Sequence, residues 1–163
     1  MPWIVRFNAS RVSSGAAIDV MPTSLNDPYN LQRFVEAQNP VFEQVCAELR
    51  VGRKTGHWMW FVFPQIKGLG NSETSRKFAI ASREEAEAYL KHPILGARLK
   101  ECSGLLTLVR GRSAVEIFGP TDELKLRSSL TLFSAVTSDN KVFVDALQKY
   151  FGGELDDRTL VNL

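Results

Sequence analysis

Two stretches of the chain hold residues whose types and spacing could do chemistry. Residues 52–70, GRKTGHWMWFVFPQIKGLG, set Arg53, Lys54 and His57 before an unbroken apolar run, Trp58 to Phe63, and Gln65 and Lys67 after it. Nowhere else are aromatic, basic and glycine residues so densely packed. The second stretch lies at residues 122–131, where Asp122, Lys125, Ser128 and Ser129 fall on one face of a predicted helix, with Arg127 and Thr131 on its shoulder. Leu126, Leu130 and Phe133 form the opposite, core-facing side. Each stretch interleaves apolar residues for a core with cations and hydroxyls that a core cannot accept unpaired. Two basic clusters brought together would repel, so their meeting makes most sense around an anion, or around Asp122 as an internal counter-ion. The candidate ligand-binding residues are therefore Arg53, Lys54, His57, Trp58, Trp60, Gln65, Lys67, Asp122, Lys125, Arg127, Ser128 and Ser129. The chemistry implied is capture of a phosphorylated or nucleotide-like small molecule.

Familiar motifs do not sharpen this. Residues 68–71 read GLGN, but Glu73 stands where a third glycine would complete a dinucleotide fingerprint, and no strand–helix–strand pattern surrounds it. The glycine turn could still aim backbone N–H groups at an anion beside Lys67; an ordinary connector is the competing reading. Gly52-Arg53-Lys54-Thr55 lacks the upstream glycine of a P-loop. His57 and His92 are not spaced as ligands and have no nearby Cys or Glu partners in sequence, so no metal site is expected. His92 reads as a helix cap, while His57, among basic residues and a Trp, could titrate near neutrality. No nucleophile elbow, zincin helix or Ser/His/Asp ordering is present, so no catalytic residue and no cofactor can be named. Two functional readings stay open: a small-molecule enzyme or binder with one pocket, and a protein-interaction module using the same Trp and Arg residues on a flat patch. Either must compete with plain burial of the aromatics in the core.

The elements that must position these residues read as all-α, about six to eight short helices around the aromatic run. That run is too short for a globular helix and is bounded by glycines and a proline, which predicts a buried, extended segment without a sheet partner. Asp27 with Pro28 predicts the first helix start. Asn39-Pro40 marks a kink or a second start, and Gly52 closes this helical hairpin. A short helix over 72–80 and another over 83–91, opened by Ser82 with Glu85, follow the run. His92-Pro93 opens the longest clear helix, whose stripe Leu95, Leu99, Cys102, Leu106, Val109 is core. Ser113 with Glu116 forms another capping box, Gly119-Pro120 stops that turn, and Thr121 is expected to cap the helix over 122–136. A last amphipathic helix ends at Gly152-Gly153, and residues 157–163 form a final turn that docks on the body.

Composition bounds the class. The chain has 163 residues, 44% hydrophobic and 23% charged, enough for one ordinary globular core. Residues 27–163 are expected to form one helical domain, and residues 1–26 a disordered tail that a start at Met21 would shorten; a transit segment is the alternative for the first 24. No apolar run approaches a membrane span. A net charge of +2 gives no support for nucleic acid. Cys46 and Cys102 have no CxxC spacing and fall at apolar helix positions, which points to reduced core thiols and a cytoplasmic protein.

The strings RFVEAQ, GRKTGHWMWFVFPQIKGLG, YLKHPILGARLKEC, EIFGPTDELKLRSSLTLF and KYFGG resemble domain-of-unknown-function family 1810 over about residues 27–163. The resemblance implies a compact, mainly helical fold and brings no activity, cofactor or catalytic residue. Gly56 and Leu130 depart from the Ser and Met that the family pattern leads one to expect. The label calpastatin attached to some members names a disordered repeat inhibitor, and a patterned single-core chain gives it no physical support.

Overall fold

Residues 26–163 are described by a computed structural model; the expected tail, apart from its last residue, lies outside the described residues, Met21 included. Among the latter every regular element is a helix: α1 Gln32–Gln38, α2 Phe42–Val51, α3 Met59–Val62, α4 Glu73–Lys77, α5 Arg83–Lys91, α6 Leu95–Leu108, α7 Ala114–Ala135, α8 Lys141–Phe151 and α9 Asp157–Val161. Two units are distinguished, Met1–Gln32 and Arg33–Leu163. Within the first, the Asp27 carboxylate accepts from the Leu31 and Gln32 amides at 2.7 and 2.9 Å, which satisfies two amides at the start of α1.

In the second unit, α6 is the central rod, packed by α2, α5 and α8, while α8 and α9 also pack on α7. The expected stripe faces inward: Leu95, Leu99, Cys102 and Leu106 are buried, and Phe133 of α7 meets Phe143 of α8 and Tyr89 of α5 at ring separations of 6.2 and 5.2 Å. Local signals in the sequence placed several of the helix starts. Ser113 and Glu116 form a reciprocal capping box, and the His92 Nδ1 accepts from the Ile94 and Leu95 amides at 3.1 and 3.3 Å. Gly119 takes φ 85°, a conformation costly for a residue with a Cβ, and so breaks α7 into two helical pieces. Pro120 then starts the second piece where its missing N–H costs nothing; the expected cap at Thr121 is displaced by two residues.

The aromatic run is not extended. Val62 N donates to Trp58 O at 3.1 Å and Phe63 N to Met59 O at 3.0 Å, which makes α3 a single helical turn. With no strand among the described residues to pair with, the buried backbone must satisfy its groups locally, and one turn of helix does so. The turn also sorts the side chains. Trp58, Met59, Val62 and Phe63 are buried, whereas Trp60 and Phe61 are only half-buried on its outer side. The predicted helix over 72–80 is shorter, α4 ending at Lys77, because Ile80 instead makes an isolated parallel bridge with Ile66: Ile80 N donates to Gln65 O at 2.9 Å and Lys67 N to Ile80 O at 2.8 Å.

Candidate functional site

Asp122 joins the two stretches. One carboxylate oxygen lies 2.8 Å from Lys54 Nζ and the other 3.1 Å from Lys125 Nζ. Burial works against the charged form of Asp122, but hydrogen bonds from Lys54 and then Lys125 outweigh it and hold the carboxyl below its ordinary range. Lys54 is spent internally: its side chain is 8% exposed, its ammonium also donates to Gly56 O at 2.6 Å and lies 5.1 Å from the Trp58 ring centre. Lys125 is more open, 20% exposed, with its ammonium 5.2 Å from the centre of the Trp60 ring. A cation and an aromatic wall therefore face one space.

That space is a cleft of about 390 Å³, bounded by Trp60 and Gln65 on one side, by Lys125, Arg127 and Ser128 of α7 on another, and by Arg158 from the C-terminus. A second recess of about 290 Å³, walled by Ile66, Phe78 and Ala79 with Lys67 and Arg76 among its lining residues, shares Trp60, Gln65, Gly70 and Ser75 with the first. The C-terminal segment completes the cleft by docking on α7: Asp156 N donates to Thr131 Oγ1 at 3.0 Å, and Asp156 Oδ2 accepts from Ser128 Oγ at 3.3 Å and from Thr159 N at 3.0 Å. Arg127 is partly neutralised by Glu154 at 2.7 Å and Asp156 at 3.8 Å. Among the described residues, no carboxylate lies within ion-pair distance of Arg158 or Lys67. The cleft itself is lined by three cations and a single acid.

Of the residues expected from the sequence, Trp60, Gln65, Lys125, Arg127 and Ser128 line the cleft and Lys67 the recess, while Lys54 and Asp122 form the ion-paired support behind them. Three do not join. Arg53 and His57 are exposed and line neither space. Ser129 was expected on the polar face, yet it is fully buried and its hydroxyl has no hydrogen-bond partner. The helical step of about 100° carries it round from Ser128 toward the side that Leu126 and Phe133 bury. Trp58 is buried too, its indole N–H donating to Glu48 Oε1 at 2.9 Å. Asp156 and Arg158 escaped the sequence reading, although the cap at Asp156, which accepts from Thr159 N, is the local signal that places them.

Glu48 was missed as well. Its Oε1 also accepts from the Thr55 and Gly56 amides at 2.7 and 3.0 Å, and its Oε2 from Gln44 at 2.6 Å. Burial would raise this carboxyl, yet four hydrogen bonds to its charged form bring it down to about 2. It pins the loop that delivers Lys54. At Gly56 a Cβ would stand 2.8 Å from Trp58 Cδ1, so the glycine lets the loop lie close against the indole.

Among the described residues, no three His, Cys, Asp or Glu side chains cluster so as to hold a metal ion, and no helix is long and apolar enough to cross a membrane. Cys46 and Cys102 are free and buried. The Cys46 thiol donates to Glu101 Oε2 at 3.8 Å; the neighbouring Cys102 thiol lowers Cys46, while Cys46 together with burial raises Cys102.

The family model described as "protein of unknown function (DUF1810)" matches residues 28–163. The chain belongs to this family. It is also similar to a solved structure, that of the conserved hypothetical protein Rv1873 from Mycobacterium tuberculosis, with 58% identity and a TM-score of 0.83 over 84% of this chain and 98% of that one. No curated protein matches the chain. The all-helical fold is thus that of a family whose description names no ligand and no reaction.

Proposed function

We propose that the protein binds a small phosphorylated molecule in the cleft between Trp60 and α7. The observation that carries this reading is the position of Lys125, whose ammonium is held by Asp122 on one side and the Trp60 ring on the other at the wall of a concave space. An ammonium fixed in this way meets an incoming anion with little further ordering, which is the main cost of binding with a flexible lysine. Arg127 and Arg158 add two guanidinium groups, suited to bidentate contact with phosphate oxygens. The hydroxyls of Ser72 and Thr121 supply neutral donors in the same cleft. Concavity weighs against the interaction-module reading, because Trp58 is buried and Trp60 lines a cleft instead of standing on a flat patch.

The test is a melting curve with pyrophosphate or ribose 5-phosphate against sodium chloride of equal ionic strength. A ligand that binds only the folded chain must raise the melting temperature. The phosphate compounds are expected to do so, and Lys125→Ala with Arg158→Ala to remove the rise. Equal melting temperatures in phosphate compounds and chloride would contradict the proposal.

A further inference from the structure

The cleft continues past its cations. The recess beside it differs in chemistry, with Ile66, Phe78 and Ala79 supplying apolar wall, and the two spaces share Trp60 and Gln65 as a common partition. Lys125 lines the cleft and not the recess, so the ammonium that sits over the Trp60 ring leaves the rest of that indole to the apolar side. Gln65 brings a side-chain amide, a donor and acceptor together, to this partition. No hydrogen bond within the described chain uses it. Arg76 and Phe78 bring a planar guanidinium and a second ring to the recess.

The recess wall is built to hold its shape. Arg33 donates to Lys77 O at 2.8 Å, to Ala79 O at 2.9 Å and to Glu85 Oε2 at 2.8 Å, and Glu85 Oε1 accepts from Ala81 N at 3.0 Å. Glu85 is 3% exposed. A buried ion pair thus fixes the backbone of 77–81 from behind, while the Ile66 to Ile80 bridge fixes it from the side. Such reinforcement of an apolar hollow beside a basic cleft suits a rigid planar group more than a flexible chain.

Resting on the anion-binding reading of the cleft, we infer that the ligand is two-part: a phosphorylated nucleoside, its phosphate among Lys125, Arg127 and Arg158 and its heterocycle in the recess between Trp60 and Phe78, with Gln65 reading the ring edge. Stacking of a base on an aromatic side chain is worth about 1–3 kcal/mol. A nucleotide should therefore bind about 5- to 150-fold more tightly than the same sugar phosphate without its base.

Calorimetric titration of the full chain with AMP, UMP and ribose 5-phosphate at equal ionic strength tests this, with intrinsic tryptophan fluorescence as a second readout. The tighter of the two nucleotides is expected to exceed ribose 5-phosphate at least about fivefold and to quench the tryptophan emission, a quench that Trp60→Phe should remove. Ala81→Trp, which fills the recess mouth from an exposed position, should reduce that nucleotide to the affinity of ribose 5-phosphate and leave ribose 5-phosphate unchanged. Ala79→Leu is a second obstruction should Ala81→Trp lower the melting temperature. Nucleotides and ribose 5-phosphate binding alike would overturn the two-part ligand and leave the phosphate cleft standing. Binding of none of the three would remove both.

Discussion

Lys54 and Lys125 share Asp122, one on each carboxylate oxygen, at 2.8 and 3.1 Å. The two cations are unequal. Lys54 is 8% exposed and fully engaged, whereas Lys125 is 20% exposed and faces the cleft. Asp122 thus holds a buried cation on one side and a cleft-facing cation on the other.

Asp122→Ala strands the Lys54 ammonium in a nearly dry site, and is expected to cost about 3 kcal/mol of folding stability. Lys125→Ala leaves Asp122 its better partner and removes a group with access to water, so about 1 kcal/mol or less is expected. Urea unfolding of the two variants checks the difference. Equal losses would mean that Lys54 does not depend on Asp122.

Acid should release the loop that carries Lys54. The Glu48 carboxyl is held at about 2 in the fold, well below the ordinary glutamate value of 4.5. A depressed carboxyl stabilises fully above its unfolded value, and this contribution is lost as pH falls from about 4.5 toward 2. Glu48→Gln is therefore expected to cost about 1–3 kcal/mol at pH 7, since an amide cannot accept all four bonds. Because the glutamine does not titrate, the gap to the parent protein should narrow steadily below pH 4.5. A gap independent of pH in urea unfolding would contradict this role.

Glu85→Ala should couple stability to selectivity. It removes the Glu85 carboxylate from Arg33 and leaves the Ala81 amide without its acceptor, a loss of about 1–3 kcal/mol. The recess wall should loosen with it. The preference for a nucleotide over ribose 5-phosphate is then expected to fall, while ribose 5-phosphate itself binds as before, measured by the same titration below the melting temperature of the variant. An unchanged preference would show that this ion pair does not shape the recess.

The two buried thiols should differ in reactivity. The thiolate is the form that reacts, and the proximity of the two thiols favours it at Cys46 and, with burial, disfavours it at Cys102. Brief alkylation of the folded protein followed by mass spectrometry is expected to label Cys46 first. Preferential labelling of Cys102 would contradict that order.

Much of the fold was legible locally, in the Ser113 to Glu116 capping box, the His92 cap, the break at Gly119-Pro120 and the stripe of α6. The meeting of the stretch around Lys54 with the helix of Lys125 was legible too, because both carried cations between core residues and Asp122 offered them a counter-ion. What failed was long-range or ambiguous in period. Six apolar residues do not distinguish a strand from a helical turn, so α3 was misread. Ser129 and Ser128 are neighbours in sequence, but the helical step sends one to the core and the other to the cleft. Arg158, Arg33 and Glu85 reach the site only through tertiary docking, which no local pattern announces.

The most direct test of the phosphate cleft is an NMR titration of the labelled protein with ribose 5-phosphate, following backbone amides and the indole N–H signals. Shifts are expected at the Trp60 indole and at the amides of Asn71, Ser72, Thr121 and Arg158, which all line the cleft, with the surface around Arg53 and His57 unmoved. Shifts centred on Arg53 and His57, or none at millimolar ligand, would contradict it.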